Sequence, residues 1–446
     1  MSKLTGKNGV SLDADAQTKV VRRLSAADQG HRTYEVYQRE RVGESTEKIK
    51  PGDLLGQKFQ RDPYPTLQIL RENYPFYRDW QSNSYWVTRY NDVTSIFTDD
   101  ANFTNRSKLS AYGLQSYGRD LNREPGVRLR AEQICDALAE PLSRSVITSF
   151  STHSEVNLAI EFAAALAMGL VKSLFAIPSS ESEQFTRLYW QMQRGVSWRG
   201  DLHHQGRHAI QAMEKLLEPL VAQRRALPED DYLSALLSVD DRVTTADVVV
   251  SLLERDHATL HGGLANLWML LLTHKEAFSE AVSEPRLMKL AYLEMLRHST
   301  PVVAAERFAR HEVERFGKLI PQGARVICSA AAGNRDPRIF SEPDLFVVGR
   351  RDLCQREPRG QYRADGLASG IAFGLGKPSK QPAIPADQAR SDYAQIRDLA
   401  VTASMSLIQH YPQLALSPGS SPYLKSLSVG EMHTCWRLPV VLGPKG

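Results

Sequence analysis

The sequence predicts a mainly α-helical protein with a small β lobe, folded as a single domain. Over long stretches of its 446 residues, apolar side chains recur at the spacing of an amphipathic helix. Short strand patterns are concentrated after Pro301. Hydrophobic residues make up 42% of the chain, which is enough for a sizeable core. Residues 1–50 are polar and of mixed charge, so we predict an N-terminal extension there and one folded domain over residues 51–446.

The predicted elements follow one another along the chain in a simple order. "YPTLQILREN" predicts a first helix, and "SYWVTRYNDVTSIF" predicts an aromatic strand that leads into a second helix. Longer helices are predicted over residues 155–175, 182–193, 209–225, 245–272 and 284–298. After them, "ERFARHEVERFGKLIPQGARVICSAAA" predicts short strands and turns. A last long helix over about residues 385–410 precedes the strand region "MHTCWRLPVVLG".

Composition and charge argue against several classes of protein. The net charge of +4 is spread along the chain, so nothing favours a nucleic-acid partner. No run of ~18 apolar residues predicts a membrane span, and the N-terminus lacks the apolar core of a secretory signal. The four cysteines are far apart and form no C-x-x-C pair. We therefore expect a soluble cytoplasmic protein without a disulfide framework or a structural zinc site.

A charged pair in "YLEMLRHSTPV" becomes informative through the residues that follow it. Glu294 and Arg297 are three residues apart on one helix face, which by itself is typical of a surface ion pair. The pair is followed by "IPQGARV", "GNRDPRIFSEPDLF" and then Arg350. With these surroundings, the chain resembles a bacterial cytochrome P450 over nearly its whole length from residue 55 on.

The resemblance assigns roles to several of these residues. Glu294 and Arg297 match the family's E-x-x-R pair, and Arg350 matches the arginine that completes this structural triad. Arg130 in "EPGVRLRAE" and Arg307 match arginines that contact the haem propionates. The implied architecture is the cytochrome P450 fold, one mainly helical domain that normally encloses a haem between two long helices.

The loop "IAFGLGKPSKQPAIPADQ" departs from the family at its most important position. In the family, a loop F-G-x-G-x-H-x-C-x-G presents the cysteine whose thiolate binds the haem iron and favours O–O cleavage. The matching residues here are Phe373, Gly374 and Gly376. Lys380 stands at the cysteine place, and counting back from Pro412 puts Arg390 there instead. Because neither alignment yields a sulfur, we predict a degenerate haem loop and the loss of thiolate ligation.

The central helix departs from the family as well. The segment "RDHATL" aligns with the family's A-G-x-[DE]-T-T, so four pocket-facing positions are occupied by Arg255, Asp256, His257 and Ala258. Two charged side chains over a porphyrin face are costly to bury unless they are paired. Thr259 remains, and we interpret it as a packing residue and only a weak catalytic candidate.

A group of histidines in "DLHHQGRH" is the remaining candidate for a metal site. If the segment is helical, His204 and His208 share one face, with His203 beside them. Zinc sites call for a third ligand and a second shell, and no H-E-x-x-H motif is present. The sequence therefore predicts exposed histidines and no metal site.

Three functions are compatible with these residues. The first is an auxiliary, partner-binding protein of a secondary-metabolite pathway that uses no cofactor, similar to the cysteine-lacking P450-like proteins that activate glycosyltransferases. The second is an oxidoreductase that binds haem b through another ligand and acts on an apolar small molecule. The third is a haem-independent enzyme or metabolite binder, for which Arg255, Asp256 and His257 are the candidate residues.

Overall fold

The computed structural model of the chain describes residues 4–5, 11–12, 48–50, 52–196, 200–255, 257–353, 390, 392–426 and 432–444. Its α-helices span Gln57–Arg61 (α1), Tyr64–Asn73 (α2), Tyr90–Phe97 (α3), Lys108–Ala111 (α4), Pro125–Ser149 (α5), Ala165–Leu174 (α6), Ser182–Gly195 (α7), Gly200–Ala226 (α8), Tyr232–Leu237 (α9), Thr245–Glu254 (α10), His257–Thr273 (α11), Lys275–Ala281 (α12), Pro285–His298 (α13), Ala330–Gly333 (α14) and Asp392–His410 (α15). A π-helical segment, Leu158–Ala164, runs into α6, and Ser179–Glu181 forms a 3₁₀ turn.

The strands are short and pair mainly in an antiparallel way. They span Leu4–Thr5 (β1), Ser11–Leu12 (β2), Phe76–Asp79 (β3), Ser84–Val87 (β4), Phe103–Thr104 (β5), Glu155–Asn157 (β6), Ala305–Ala309 (β7), Val313–Arg315 (β8), Lys318–Ile320 (β9), Arg325–Cys328 (β10), Ala415–Leu416 (β11), Tyr423–Ser426 (β12), His433–Arg437 (β13) and Pro439–Val441 (β14). The main sheet has the order β3-β4-β10-β7-β5, in which β4 and β10 are parallel. A second sheet has the order β11-β14-β6, and three strand pairs, β1-β2, β8-β9 and β12-β13, complete the set.

Internal contacts divide the chain into two compact units. The first unit consists of Met1–Asn105, Thr273–Pro382 and Leu424–Thr434, and it holds the main sheet. The second consists of Arg106–Leu272, Ala383–Tyr423 and Cys435–Gly446, and it holds the long helices α5, α8 and α15. Among the described residues, no helix combines the length and the apolar character that a bilayer crossing requires.

Each unit has its own apolar core. In the first unit the ring of Phe59 meets that of Trp86 edge-on, with centroids 6.0 Å apart, beneath α2 and the sheet. In the second unit α5 packs against α15. There residues 259–271 of α11 are all buried, and the Trp268 indole donates a 3.2 Å hydrogen bond to Ser404 of α15.

The mainly helical prediction is confirmed, and the differences have local causes. The predicted helix over 155–175 begins instead as a strand, because Val156 pairs with Val440 of β14. The predicted helix over 245–272 is interrupted at Arg255. The helix α5 was not predicted, since its buried positions include the small or polar Ala131 and Ser143 and Pro141 interrupts its pattern. Residues 385–389 and 391 of the last predicted helix lie outside the described residues.

Candidate functional site

The charged pair on α13 is buried in the first unit, with both side chains inaccessible to solvent. Arg297 forks onto the carboxylate of Glu294, with its Nε 2.8 Å from Oε2 and its Nη2 2.7 Å from Oε1. Arg350 reaches the same carboxylate, and its Nε donates to Oε1 at 3.1 Å. The structure therefore brings together the three residues that the resemblance assigns to a structural triad.

The remaining donors of this triad bind backbone carbonyls. Arg297 donates to the carbonyl oxygens of Asn334 at 2.9 Å and of Pro343 at 2.7 Å. Both arginines also donate to the carbonyl of Leu345, each at 3.0 Å. Because the charges are paired and their donors are used, the cost of burying them is offset. The triad thus ties α13 to the loop that follows α14.

In the second unit, the predicted central helix is interrupted at Arg255. The helix α10 begins with a capping box in which Thr244 and Asp247 bond each other's backbone N–H groups. It ends at Arg255, whose backbone is extended, with φ −69° and ψ 135°. The next helix, α11, begins at His257. The break falls at the place where the family has its first small pocket residue.

The Arg255 side chain is buried, 6% exposed, and its partners come from two other elements. Its Nη1 donates to the hydroxyl of Tyr232 at 3.1 Å, and the guanidinium lies 5.0 Å from the centre of that ring. Its Nη2 lies 3.7 Å from Oδ1 of Asp392, the first residue of α15. Burial, opposed by Arg255, raises the pKa of Tyr232 to about 12, so this hydroxyl stays protonated and donates to Asn122. Arg255 thus links α9, the end of α10 and the start of α15.

Arg390 is held by three carboxylates of the second unit. Its backbone N–H donates to Glu132 at 3.0 Å, and its Nη1 donates to Asp398 at 2.6 Å. Its other side-chain nitrogens bind Glu132 and Asp136, which lie one turn apart on α5. A guanidinium is always protonated and offers no lone pair. Arg390 is therefore a structural cation and cannot serve as a metal ligand at the cysteine place.

If the chain bound haem as the family does, the porphyrin would lie between α10–α11 and α15. In the P450 resemblance the haem lies between these two helices, and its face needs small or apolar neighbours. The described residues do not fit that group, because the charged side chain of Arg255 extends from one helix to Asp392 on the other. Admitting a porphyrin there would break this pair and leave a buried charge uncompensated.

The described cysteines lie in surroundings that disfavour a thiolate. Cys135 on α5 belongs to the same charged neighbourhood, and burial, opposed by Arg255, raises the pKa of its thiol to about 11. Burial also raises the pKa of Cys328 and of Cys435 to about 12 each, in the second case against backbone hydrogen bonds. All three are free and buried. Their thiols are therefore neutral at neutral pH, whereas the family's ligand is a thiolate.

Several predicted positions fall in parts of the chain that the structure does not describe or describes only by its backbone. The loop residues Phe373, Gly374, Gly376 and Lys380 lie outside the described residues, as does Asp256. The fourth cysteine of the chain, Cys354, also lies outside them. His257 and Ala258 lie in the first turn of α11, where only the backbone is described. Thr259 follows them and is buried, 2% exposed.

The two predicted propionate arginines have different environments. Arg130 lies on α5 in the second unit, and its Nη2 is 2.7 Å from Oδ1 of Asp230, a side chain that is 91% exposed. Arg307 lies on β7 in the first unit, where it is buried over the ring of Phe97 at 4.6 Å. Burial lowers the pKa of Arg307. Arg130 thus has a carboxylate partner within the protein.

The sequence reasoning missed the partners of Arg255. Tyr232 and Asp392 are 23 residues before and 137 residues after it, so no local pattern connects them. For Arg390 a signal was present, since Glu132 and Asp136 are four residues apart and share a helix face.

Comparison with known proteins identifies the class of this scaffold. No family model matches the chain. Pulcherriminic acid synthase of Bacillus subtilis (strain 168) is 23% identical over 355 residues, covering 74% of this chain and 86% of the relative. Epothilone C/D epoxidase of Sorangium cellulosum is 27% identical over 334 residues, covering 66% of this chain and 78% of the relative.

A solved structure gives the same result for the fold. P450BioI, crystallised with a fatty-acyl-ligated acyl carrier protein, superposes with a TM-score of 0.70 at 22% identity, covering 86% of this chain and 99% of that one. The scaffold is thus that of the cytochromes P450. Along most of its length the chain is similar to members of the cytochrome P450 superfamily.

Proposed function

We propose that this chain is a P450 homologue that works without a thiolate-bound haem, as an auxiliary, partner-binding protein in a secondary-metabolite pathway. The observation that carries the proposal is the Arg255 side chain, which extends from the end of α10 to Asp392 on α15. It occupies space that the cofactor would need, and it stands where the family has a small residue. The absence of a cysteine between residues 355 and 434 supports the same conclusion.

A partner-binding role has support from the comparisons and from the surface. One P450 of this fold was crystallised with an acyl carrier protein, so the fold is able to hold a protein partner. On this chain, the side chain of Trp80 is 80% exposed at the turn between β3 and β4, with the Arg78 guanidinium 4.6 Å from its ring. Tryptophan and arginine are enriched among the residues that dominate binding energy at interfaces. A glycosyltransferase is the partner class that the resemblance suggests.

An absorption spectrum tests the loss of haem. The full-length chain is expressed with a haem precursor, purified, and measured before and after reduction under CO. We expect no Soret band. A band with the thiolate signature in the CO complex would overturn the proposal, and its disappearance in C135S would then identify Cys135 as the ligand.

Co-purification tests the partner. The chain is expressed with the proteins encoded in its own operon, and we expect one of them to co-purify in a fixed ratio. W80A should weaken that complex, while L227A, which trims another exposed apolar side chain, should leave it unchanged. If no operon protein co-purifies with the unmodified chain, the auxiliary role fails even when the spectrum shows no haem.

A second candidate function is an oxidoreductase that holds haem b through another ligand and acts on an apolar small molecule. The observation that favours it is the set of relatives, whose names describe an epoxidase and a synthase. A Soret band without the thiolate signature would select this candidate over the first.

A further inference from the structure

The three histidines at the start of α8 differ in the direction that their side chains take. His203 packs on the ring of Tyr112, with centroids 5.1 Å apart. His204 and His208 lie on the other face of the helix and are exposed. Their Nε2 atoms are 3.3 Å apart, and their ring centroids are separated by 4.4 Å. The helix therefore presents two imidazoles to solvent with their outer nitrogens converging.

Close packing holds this part of the helix in one orientation. Gly206 is buried, and a Cβ added to it would lie 2.9 Å from the Cα of Gly195 on α7. The helices α7 and α8 thus cross with their backbones in contact, beside Tyr112, whose hydroxyl donates to the carbonyl of Met192. Since one face is locked in this crossing, His204 and His208 keep their outward direction.

The separation of the two nitrogens matches a coordination geometry. Two imidazole nitrogens at about 2.05 Å from one ion are about 3.3 Å apart in a tetrahedral site and about 2.9 Å apart at adjacent positions of a square-planar or octahedral site, so the observed separation needs little or no side-chain adjustment. Histidines at positions i and i+4 of a helix are a known way to reach this arrangement. The same separation of the two Nε2 atoms also allows a hydrogen bond between the rings. A bound metal ion would take the place of the proton in that hydrogen bond.

We propose that His204 and His208 form a binding site for one divalent transition-metal ion of the kind that imidazole prefers, such as Ni²⁺, Cu²⁺ or Zn²⁺. Among the described residues, no third His, Cys, Asp or Glu joins them in a cluster, so water completes the coordination. The bound ion links the second and third turns of α8. This inference is independent of the proposed function, because neither the haem position nor a protein partner enters it.

The test is a calorimetric titration of the full-length chain, free of any affinity tag, with Ni²⁺. We expect one equivalent to bind to the unmodified protein and to be lost in H204A, in H208A and in the double variant. H203A is the matched control, since it removes an imidazole from the same turn but leaves the pair intact, and it should keep the equivalent.

A second readout guards against a folding artefact. Saturating Ni²⁺ should raise the melting temperature of the unmodified chain and of H203A, and leave that of the double variant unchanged. If the double variant binds the same equivalent of Ni²⁺ as the unmodified chain, or if the unmodified chain binds none, the proposal is overturned.

Discussion

Two buried arginine clusters, one in each unit, differ in how completely they are closed. In the first unit, the side chains of Glu294 and Arg297 are both 0% exposed and are joined at 2.7 Å. In the second unit, Arg255 is 6% exposed on its side chain, but its partner Asp392 is 46% exposed and lies 3.7 Å away. The first is a bidentate pair without access to water, and the second is a buried cation with a carboxylate that solvent reaches.

This difference indicates what each cluster does. Removing one member of a closed network lowers the stability strongly, because the remaining buried charges cannot be hydrated. Removing the arginine of an open pair lowers the stability less, because water hydrates the carboxylate that remains. The triad therefore supports the scaffold that all P450s share, whereas the Arg255 cluster can change without unfolding the chain.

The largest effect is expected from E294A in the triad. It leaves the buried guanidinium of Arg297 without a carboxylate and leaves Arg350 only its 3.5 Å contact with Asp352, so we expect a loss of roughly 3–5 kcal/mol in the free energy of unfolding. Urea denaturation measures this loss. E140A is the matched control, because Glu140 pairs with Arg144 at the surface, and it should change stability by less than about 1 kcal/mol. Equal stabilities of the two variants would contradict the comparison.

A pH dependence of stability is expected from two buried histidines, one in each unit. Burial lowers the pKa of His261 to about 4, and burial together with Arg335 lowers that of His298 to about 2. Between pH 6.5 and 4 the unfolded chain binds protons that the folded chain does not. Stability therefore falls as pH decreases through this range, by on the order of 1.4 kcal/mol per pH unit for each histidine.

Denaturation curves at several pH values check this dependence. In H261L the free energy of unfolding should depend less steeply on pH between 6.5 and 4, because the contribution of His261 is lost when a residue that cannot titrate replaces it. An unchanged slope in H261L would show that His261 takes up its proton in the folded state.

A smaller effect is expected from R255A. The variant removes the hydrogen bond to Tyr232 and the ion pair with the half-exposed Asp392, which should cost about 1–3 kcal/mol. D392A should cost at least as much, since it leaves the buried guanidinium of Arg255 without its carboxylate. The absorption spectrum of R255A, expressed with a haem precursor, sharpens the comparison further. A Soret band that appears only in this variant would show that the guanidinium is what excludes the cofactor.

The smallest effect is expected from R130A. Its partner Asp230 is 91% exposed, so removal of the pair should change stability by less than about 1 kcal/mol. Thermal unfolding measures this change. A loss of several kcal/mol would contradict this expectation. If the unmodified chain shows a haem spectrum and R130A changes it, the propionate role predicted for Arg130 from the sequence would be supported.

The sequence predicts those elements whose pattern is contained within a short segment, and it fails for those that depend on distant partners. Helix α2 was predicted over its full range, because its apolar spacing and its start are encoded within ten residues. Helix α5 was missed, since much of what it buries is small or polar. The strand β6 was read as helix, because its pairing with β14 joins positions far apart in sequence. The division into an extension over residues 1–50 and a domain over 51–446 stays a prediction.

By itself, the sequence determined the P450 scaffold, the members of the triad and the lack of a cysteine at either aligned ligand place. These depend on residue identity and on spacing within short segments, which the chain carries directly. The tertiary structure alone decided that Arg255 ends a helix and meets Tyr232 and Asp392. A buried guanidinium takes whatever partners folding brings within reach, and those partners are distant in the chain.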